Sequence, residues 1–203
     1  MHIIETRGAP NPRRVRIFLA EKGIDVRFED RDLMVGALKS PEFTRLNPFQ
    51  RVPILVLDDG TVLTETVAIC RYFEELQPEP ALFGQGALGR AEVEMWQRRV
   101  ELGFFYPVAQ VFRHLHPKMA HLEVPQVPQW AEANRQRALE ALAIFEDRLA
   151  DRPFLAGHSY SIADVTFLVA LEFMKPARID RPTGYANVAR WHEAVAARPS
   201  AAA

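Results

Sequence analysis

The chain has 203 residues, of which 48% are hydrophobic and 25% are charged, and its formal net charge is −1. This composition is typical of a globular protein of one large or two small domains, and it argues against nucleic acid or an anionic membrane surface as a partner. No stretch approaches the roughly 18 apolar residues of a membrane span, no signal peptide is recognisable, and the single cysteine, Cys70, excludes an internal disulfide and favours a reducing cytoplasm.

Residues 1–77 contain short apolar runs, some with strand-like alternation and some with helical spacing. Asn11 and Pro12 predict an N-cap and a first helical residue, and Gly23 predicts the left-handed residue that ends this helix. Asp59-Gly60 predicts the turn of a β-hairpin. The predicted elements are strands at 2–6, 26–29, 54–57 and 61–63 and helices at 12–22, 41–46 and 67–76. Their order, β-α-β-α-β-β-α, defines an α/β domain.

The pattern changes after residue 77. Pro78 and Pro80 predict a linker over residues 78–88, and from Gly89 onward only helical periodicity is present. A capping box at Ser161 and Asp164 precedes an apolar run. Predicted helices follow at 130–149, 162–171 and 185–197. The second domain, 89–203, is therefore predicted to be all-α.

One corner of the first domain suggests a binding function. Pro53 directly precedes a strand-like run, and because proline cannot donate a ladder hydrogen bond it should open that strand. The Val52-Pro53 bond is of the one kind that is readily cis, and a cis bond would turn the backbone of Val52 outward. Its N–H and C=O would then be available to an extended peptide. The alternative is an ordinary trans corner.

Five segments, in this order and at this spacing, resemble the cytosolic glutathione S-transferases: 11–24 (NPRRVRIFLAEKGI), 47–55 (NPFQRVPIL), 65–73 (ETVAICRYF), 161–164 (SIAD) and 198–199 (RP). The resemblance implies a thioredoxin-like first domain with a cis-proline at Pro53, an all-helical second domain and usually a homodimer. It implies glutathione as the peptide on Val52 and Pro53. Glutathione would be a co-substrate, with no further cofactor.

Each end of glutathione needs a different partner. The γ-glutamyl carboxylate suits the N-terminus of the helix after the hairpin and the hydroxyl of Thr66, and the Glu65 carboxylate suits the ligand's ammonium. Thr66 could instead simply cap this helix. Lys39, Gln50 and Arg51 stand where similar proteins place the partners of the glycyl carboxylate, although each is also an ordinary surface residue.

The thiol needs a hydrogen-bond donor, because its ordinary pKa is near 8.5. One bond to a charged group, worth about 1.5–3 kcal/mol, is enough to shift that value. Similar proteins use Tyr, Ser or Cys, but here Ala9 stands where related proteins have Ser. Asn11 is then the predicted catalytic donor, in a Pro10-Asn11 turn similar to that of bacterial relatives of the nu class. A plain N-cap is the alternative role for Asn11, and Thr6 and Arg7 are further candidates.

Phe104, Phe105 and Tyr106 are predicted to line the site of the electrophile, although such aromatic clusters are often just core. Phe49 is either an aromatic key for a partner subunit or a buried residue of its own subunit. The spacing of His114 and His116 is typical of metal ligands but lacks an acidic or cysteine partner, so no metal site is predicted. The predicted function is a glutathione transferase for hydrophobic electrophiles, as in detoxification. The alternatives are a glutathione-dependent disulfide reductase and a non-catalytic binding module.

Overall fold

The computed structural model describes residues 1–32 and 36–203. It contains two compact units, Met1–Leu82 together with Pro199–Ala203, and Phe83–Arg198. The last five residues therefore belong to the first unit, although the sequence pattern had grouped them with the second. A short 3₁₀-helix at Pro199–Ala202 carries them, and the Arg13 guanidinium donates to the C=O of Ala201 at 3.1 Å.

The first unit is a mixed sheet with helices. Its strand order is β2-β1-β3-β4, with β1 parallel to β2 and antiparallel to β3, and with β3 antiparallel to β4. The elements are β1 (His2–Glu5), α1 (Pro10–Lys22), β2 (Arg27–Asp30), a 3₁₀-helix (Ala37–Lys39), α2 (Pro41–Leu46), β3 (Ile54–Val56), β4 (Val62–Thr64) and α3 (Thr66–Leu76). The predicted β-α-β-α-β-β-α order is confirmed.

The start of α1 differs from the prediction. Ala9, not Asn11, is the N-cap residue, since its C=O accepts the hydrogen bond of the Arg13 N–H at 3.2 Å. Asn11 is the second residue of the helix, so the prediction that it caps α1 is wrong. Pro10 has a φ that suits the first helical position, which allows the helix to begin there. Gly23 ends α1 with a φ of 66°, as predicted.

A buried lysine fixes the chain that follows α3. The Lys22 ammonium donates to the C=O of Gln77 at 2.8 Å, of Pro78 at 3.1 Å and of Pro80 at 2.5 Å. The same ammonium is 2.5 Å from a carboxylate oxygen of Glu74. A charge in a low-dielectric interior is stable only with such a set of partners. The Lys22 clasp, meaning these five residues, therefore ties the end of α1 to the segment after α3.

The second unit is helical, as predicted. Its elements are α4 (Gly86–Val100), a π-turn (Glu101–Phe105), α5 (Tyr106–Leu115), a 3₁₀-helix (Pro117–Met119), α6 (Pro128–Arg148), α7 (Ile162–Phe173) and α8 (Ala186–Ala196). The π-turn precedes Pro107, which has no N–H to offer the C=O of Gly103 four residues earlier. None of the helices in the described ranges combines the length and apolar character needed to cross a membrane.

Asp164 organises the core of the second unit. Its carboxylate is fully buried and accepts hydrogen bonds from the N–H of Leu155 at 3.0 Å, from the N–H and hydroxyl of Ser161 at 3.1 and 3.0 Å, and from the Trp191 indole at 3.0 Å. The predicted capping box is confirmed. Burial raises the pKa of Asp164 to about 6, even though each of these bonds favours the ionised form. Asp164 is therefore a structural residue.

Candidate functional site

The sheet register brings three connections to one end of the sheet. Ile4 on β1 is paired with Ile54 on β3, and Ile54 is paired with Thr64 on β4. Because these strands are antiparallel in turn, the end of β1, the start of β3 and the end of β4 all lie at this end. The predicted site residues that the three connections carry are Asn11, Gln50, Arg51, Val52, Pro53, Glu65 and Thr66.

The side chain of Val52 faces the core, so its backbone is the part that a ligand could contact. Its side chain packs against the cluster of Ile4, Leu38, Phe43 and Ile54. Among residues 1–32 and 36–203, neither its N–H nor its C=O has a hydrogen-bonding partner. The Val52-Pro53 peptide bond is cis, as the resemblance implied. An extended peptide could therefore pair with Val52 without displacing any bond of the described chain.

The junction of β4 and α3 has an unusual backbone. Glu65 is the N-cap residue of α3, with φ 69° and ψ 120°, and its own side chain makes no capping hydrogen bond. A non-glycine residue with positive φ is strained by about 1–3 kcal/mol, and such residues cluster at binding sites. The Glu65 side chain is exposed, whereas Thr66 is buried at 6% exposure.

The start of α3 also has backbone donors that have no partner in the described part of the chain. The first hydrogen bond within the helix runs from the Ile69 N–H to the Glu65 C=O at 3.0 Å, so the N–H groups of the first three residues have no partner within the helix. They point out of the helix end, where its dipole favours an anion. This end of α3 thus combines these donors with the exposed Glu65 carboxylate.

Asn47 shapes the loop before Val52, a role that the sequence did not reveal. Its side chain is buried, donating to the C=O of Arg51 at 2.8 Å and accepting from the N–H of Phe49 at 3.0 Å. Gln50 has a φ of 53°, and its amide donates to the Thr44 hydroxyl at 3.0 Å. In this loop one amide hydrogen of Gln50 is therefore already used, whereas the side chains of Arg51 and Phe49 are exposed.

Lys39 is carried by a separate segment of the first unit, directly after Leu38, which packs in the same cluster as the Val52 side chain. It is the exposed last residue of the 3₁₀-helix that precedes α2. The cavity beside α2, lined among others by Arg31, Ser40 and Phe43, contains none of the predicted site residues. Ile4 also lines this cavity, and because Ile4 pairs with Ile54 the cavity lies next to the shared end of the sheet.

The first turn of α1 has only one backbone donor. Pro10 and Pro12 have no N–H, so Asn11 supplies the one N–H of the first three helical residues. The Asn11 amide oxygen accepts a hydrogen bond from the Arg14 guanidinium at 3.0 Å, and the amide NH₂ group has no partner within residues 1–32 and 36–203. The Thr6 hydroxyl donates to the C=O of Arg31 at 2.5 Å and is therefore engaged elsewhere.

The three aromatic residues predicted for the electrophile have different environments. Phe104 is fully buried, with its ring centroid 5.7 Å from that of Phe145 and 5.5 Å from that of Phe167. Phe105 is 6% exposed and packs against Phe173 at 6.3 Å. Tyr106 is 50% exposed. The two phenylalanines thus belong to the core of the second unit, and Tyr106 is the member of the trio with an accessible ring.

Two family models match the chain: the glutathione S-transferase N-terminal domain over residues 9–76 and the C-terminal domain over residues 128–194. Glutathione S-transferase 2 of Saccharomyces cerevisiae is 36% identical, over 98% of this chain and 87% of its own length. Glutathione S-transferase 3 of Zea mays is 34% identical, over 95% and 87%.

Solved structures agree with these matches. A glutathione S-transferase domain-containing protein of Marinobacter aquaeolei superposes with a TM-score of 0.95 at 37% identity, covering 98% of this chain and 99% of its own. Gtt2 of Saccharomyces cerevisiae superposes with a TM-score of 0.94 at 35% identity, covering 98% of each chain. The similarity therefore extends over both units.

Proposed function

The chain belongs to the glutathione S-transferase family and is a glutathione transferase, and from this premise we propose that glutathione binds at the end of the sheet shared by Asn11, Val52 and Glu65. The observation that carries the proposal is the register that pairs Ile4 with Ile54 and Ile54 with Thr64. Because of this register, three segments that are distant in sequence lie at one end of the sheet. They carry the Asn11 donor at the start of α1, the backbone of Val52 and the N-terminus of α3.

The peptide backbone of glutathione pairs with the N–H and C=O of Val52, ahead of Pro53. Its γ-glutamyl carboxylate accepts from the N–H groups at the start of α3 and from the Thr66 hydroxyl. The Glu65 carboxylate holds the ammonium through a charge-assisted hydrogen bond. The exposed carboxylate and strained backbone of Glu65 support this role, because strain persists where the surrounding structure demands it.

Three side chains remain candidates for the glycyl carboxylate. Lys39 and Arg51 are exposed cations. Gln50 already uses one amide hydrogen on Thr44, which leaves one for the ligand. Charge-assisted bonds are about twice as strong as neutral ones, so we assign the main role to Lys39 or Arg51 and a supporting role to Gln50.

Asn11 stabilises the thiolate. Its backbone N–H and its amide NH₂ both lie at the start of α1, where the helix dipole also favours negative charge. The thiolate sulfur then attacks the electrophilic carbon and forms the carbon–sulfur bond, while the bond to a leaving group such as a halide breaks and the leaving group departs with its electron pair. The engagement of the Thr6 hydroxyl with Arg31 supports Asn11 over Thr6 for this role.

The electrophile is hydrophobic and contacts Tyr106. Phe104 and Phe105 support the helix that carries Tyr106 through their packing in the core. The Pro107 π-turn places Tyr106 directly after the irregular segment, and such turns often mark functional sites. Because the named relatives are transferases, a disulfide reductase and a non-catalytic binding module are not favoured.

We also propose a homodimer in a reducing, cytoplasmic compartment. Phe49 is 74% exposed, which supports the aromatic key and argues against burial in its own subunit. Leu88, Met95 and Leu102 are exposed at seven-residue spacing along α4 and the π-turn, and such a stripe is typical of an interface. The single cysteine, Cys70, is buried and forms no disulfide, which suits a reducing compartment.

The test is glutathione binding, measured by calorimetry. Glu65→Ala should weaken binding by about ten-fold or more, because a charge-assisted bond contributes about 1.5–3 kcal/mol. Glu75→Ala is the matched control, since Glu75 is an exposed acid at the other end of the same helix. Equal affinity in the Glu65 and Glu75 variants would show that the site lies elsewhere.

A further inference from the structure

The Asn11 amide is held by a buried arginine one turn along α1. Arg14 is 1% exposed, and its Nη1 lies 3.0 Å from the Asn11 Oδ1. We propose that Arg14 is a positioning residue, which holds the Asn11 amide in the one orientation that can stabilise a thiolate. This inference rests on the proposed thiol role of Asn11.

The chemistry of the pair determines the orientation. A guanidinium has five N–H donors and no acceptor, so only the oxygen of the amide can face it. The NH₂ group must then lie on the opposite branch. An amide without this partner can turn by half a rotation and present its oxygen to the sulfur. That orientation would repel a thiolate instead of stabilising it.

The fold keeps Arg14 in place. Positions three apart on a helix are neighbours, so the pair forms within α1 itself. Arg14 lies beside Val15 on the buried side of this helix, and its side chain is among the largest that are fully buried. Burial prevents the guanidinium from leaving the amide for water. The orientation of Asn11 is therefore fixed before glutathione binds.

The neighbouring arginines have other partners. Arg13 donates to the C=O of Ala201 at 3.1 Å, and Arg16 donates to the Glu5 carboxylate at 2.9 Å. Arg13 is thus a control that removes the same charge from the same turn without touching the Asn11 amide. A general electrostatic effect of arginine on the thiolate would be seen in variants of both residues.

The experiment is a double-mutant cycle on the pKa of bound glutathione, measured from the ultraviolet absorbance of the thiolate as pH is varied. Asn11→Ala and Arg14→Met should each raise the thiol pKa by about one unit, which is the effect of losing one hydrogen bond to a charged group. The double variant should show no larger rise than Asn11→Ala alone, because Arg14 acts only through Asn11. Arg13→Met should leave the value unchanged.

Two conservative variants guard against misfolding of Arg14→Met, which circular dichroism would detect. Arg14→Lys still offers the Asn11 amide oxygen a group that only donates hydrogen bonds, so this variant should preserve the thiol pKa. Arg14→Gln offers both an oxygen and an NH₂ group, so it should raise the pKa although its size and polarity are similar. If Arg14→Lys and Arg14→Gln raise the thiol pKa by the same amount, or if neither variant changes it, the proposal is overturned.

The outcomes separate two failures. If Asn11→Ala raises the thiol pKa while Arg14→Met does not, or if Arg14→Met adds a full further rise in the double variant, Arg14 is not a positioning residue and Asn11 remains the donor. If Asn11→Ala has no effect, both roles are overturned. Glutathione binding and its loss in Glu65→Ala would still uphold the proposed site.

Discussion

At the scale of single residues, hydrogen-bond partners decide which side chains are available for chemistry. Thr6 and Asn11 both follow β1, and both carry donors. The Thr6 hydroxyl is engaged by the C=O of Arg31, whereas the amide of Asn11 is engaged, among the described residues, only through its oxygen. The same consideration applies to Asp164, whose carboxylate is saturated by donors in the core.

Asp164 should give the chain a recognisable dependence of stability on pH. Its pKa is raised from 3.8 to about 6 in the folded chain, so its contribution is fully present below pH about 4 and is lost as the pH rises through about 6. The loss is of the order of 3 kcal/mol. The free-energy difference between the wild type and Asp164→Asn, from urea unfolding, should therefore be largest in acid and decline towards neutral pH.

Subtracting the free energy of unfolding of Asp164→Asn from that of the wild type cancels the contributions of all other titrating groups, since both proteins contain them. Asp25→Asn, at an exposed position, is the control and should change the free energy of unfolding by less than about 0.5 kcal/mol. A difference for Asp164→Asn that grows from pH 4 to pH 7 would contradict the predicted direction.

Part of this residue-scale picture was accessible from the sequence. The capping box was predictable because it is local, and Arg14 could have been paired with Asn11 because positions three apart meet on a helix. The packing of Phe104 and Phe105 was not predictable, since it depends on partners on α6 and α7 far along the chain. An aromatic run alone does not distinguish a core from a binding wall.

At the scale of elements, the ends of helices and strands carry the site, and the sheet register aligns those ends. The order of elements in the first unit followed from periodicity and from the Asp59-Gly60 turn. Periodicity could not predict that these ends meet at one end of the sheet, because the pairing between β1 and β3 joins residues about fifty positions apart. The predicted start of α1 was wrong for another reason. Asn11 and Pro12 together favour a helix that begins at Pro12, but Pro10 favours the same start two residues before Pro12.

The Lys22 clasp should contribute strongly to the stability of the first unit. Lys22→Met keeps most of the side-chain volume but leaves the Glu74 carboxylate and three C=O groups without the ammonium. Removing one partner of a buried ion pair costs about 3–5 kcal/mol. Urea unfolding followed by circular dichroism should show a loss of this size.

Lys118→Met is the control for the clasp, because Lys118 is exposed on the second unit and its loss should change stability by less than about 0.5 kcal/mol. Similar midpoints for the two variants would mean that Lys22 is as dispensable as a surface lysine.

At the scale of the whole molecule, the sequence resemblance and the structural comparisons lead to the same family. The two matched domain models cover residues 9–76 and 128–194, and the superpositions with TM-scores above 0.9 cover 98% of the chain. The first turn of α1 in this chain has the sequence Ala9-Pro10-Asn11-Pro12. It removes two of the three backbone donors that a helix start normally offers and concentrates the remaining ones on Asn11.

The proposed dimer should depend on Phe49. An exposed aromatic anchor at the centre of an interface typically contributes 2 kcal/mol or more, about a thirty-fold change in dissociation constant. Phe49→Ser should therefore shift the protein towards monomer in analytical ultracentrifugation at micromolar concentration. Met95→Glu, on the α4 stripe, should have the same effect by placing a charge in an apolar contact.

Ile144→Ser serves as the control for the dimer, since Ile144 is 59% exposed but lies outside both proposed contact regions. It should leave the sedimentation profile unchanged. If Phe49→Ser sediments like Ile144→Ser and both resemble the wild type, the exposed phenylalanine does not hold two copies together.

The burial of Cys70 has a practical consequence. This cysteine is 0% exposed on α3 and is the only one in the chain. Reagents such as maleimides should therefore find no accessible protein thiol. Any fast-reacting thiol in a mixture of protein and tripeptide is then the tripeptide's own, and a fluorophore attached to one cysteine introduced on the surface would report from that position alone.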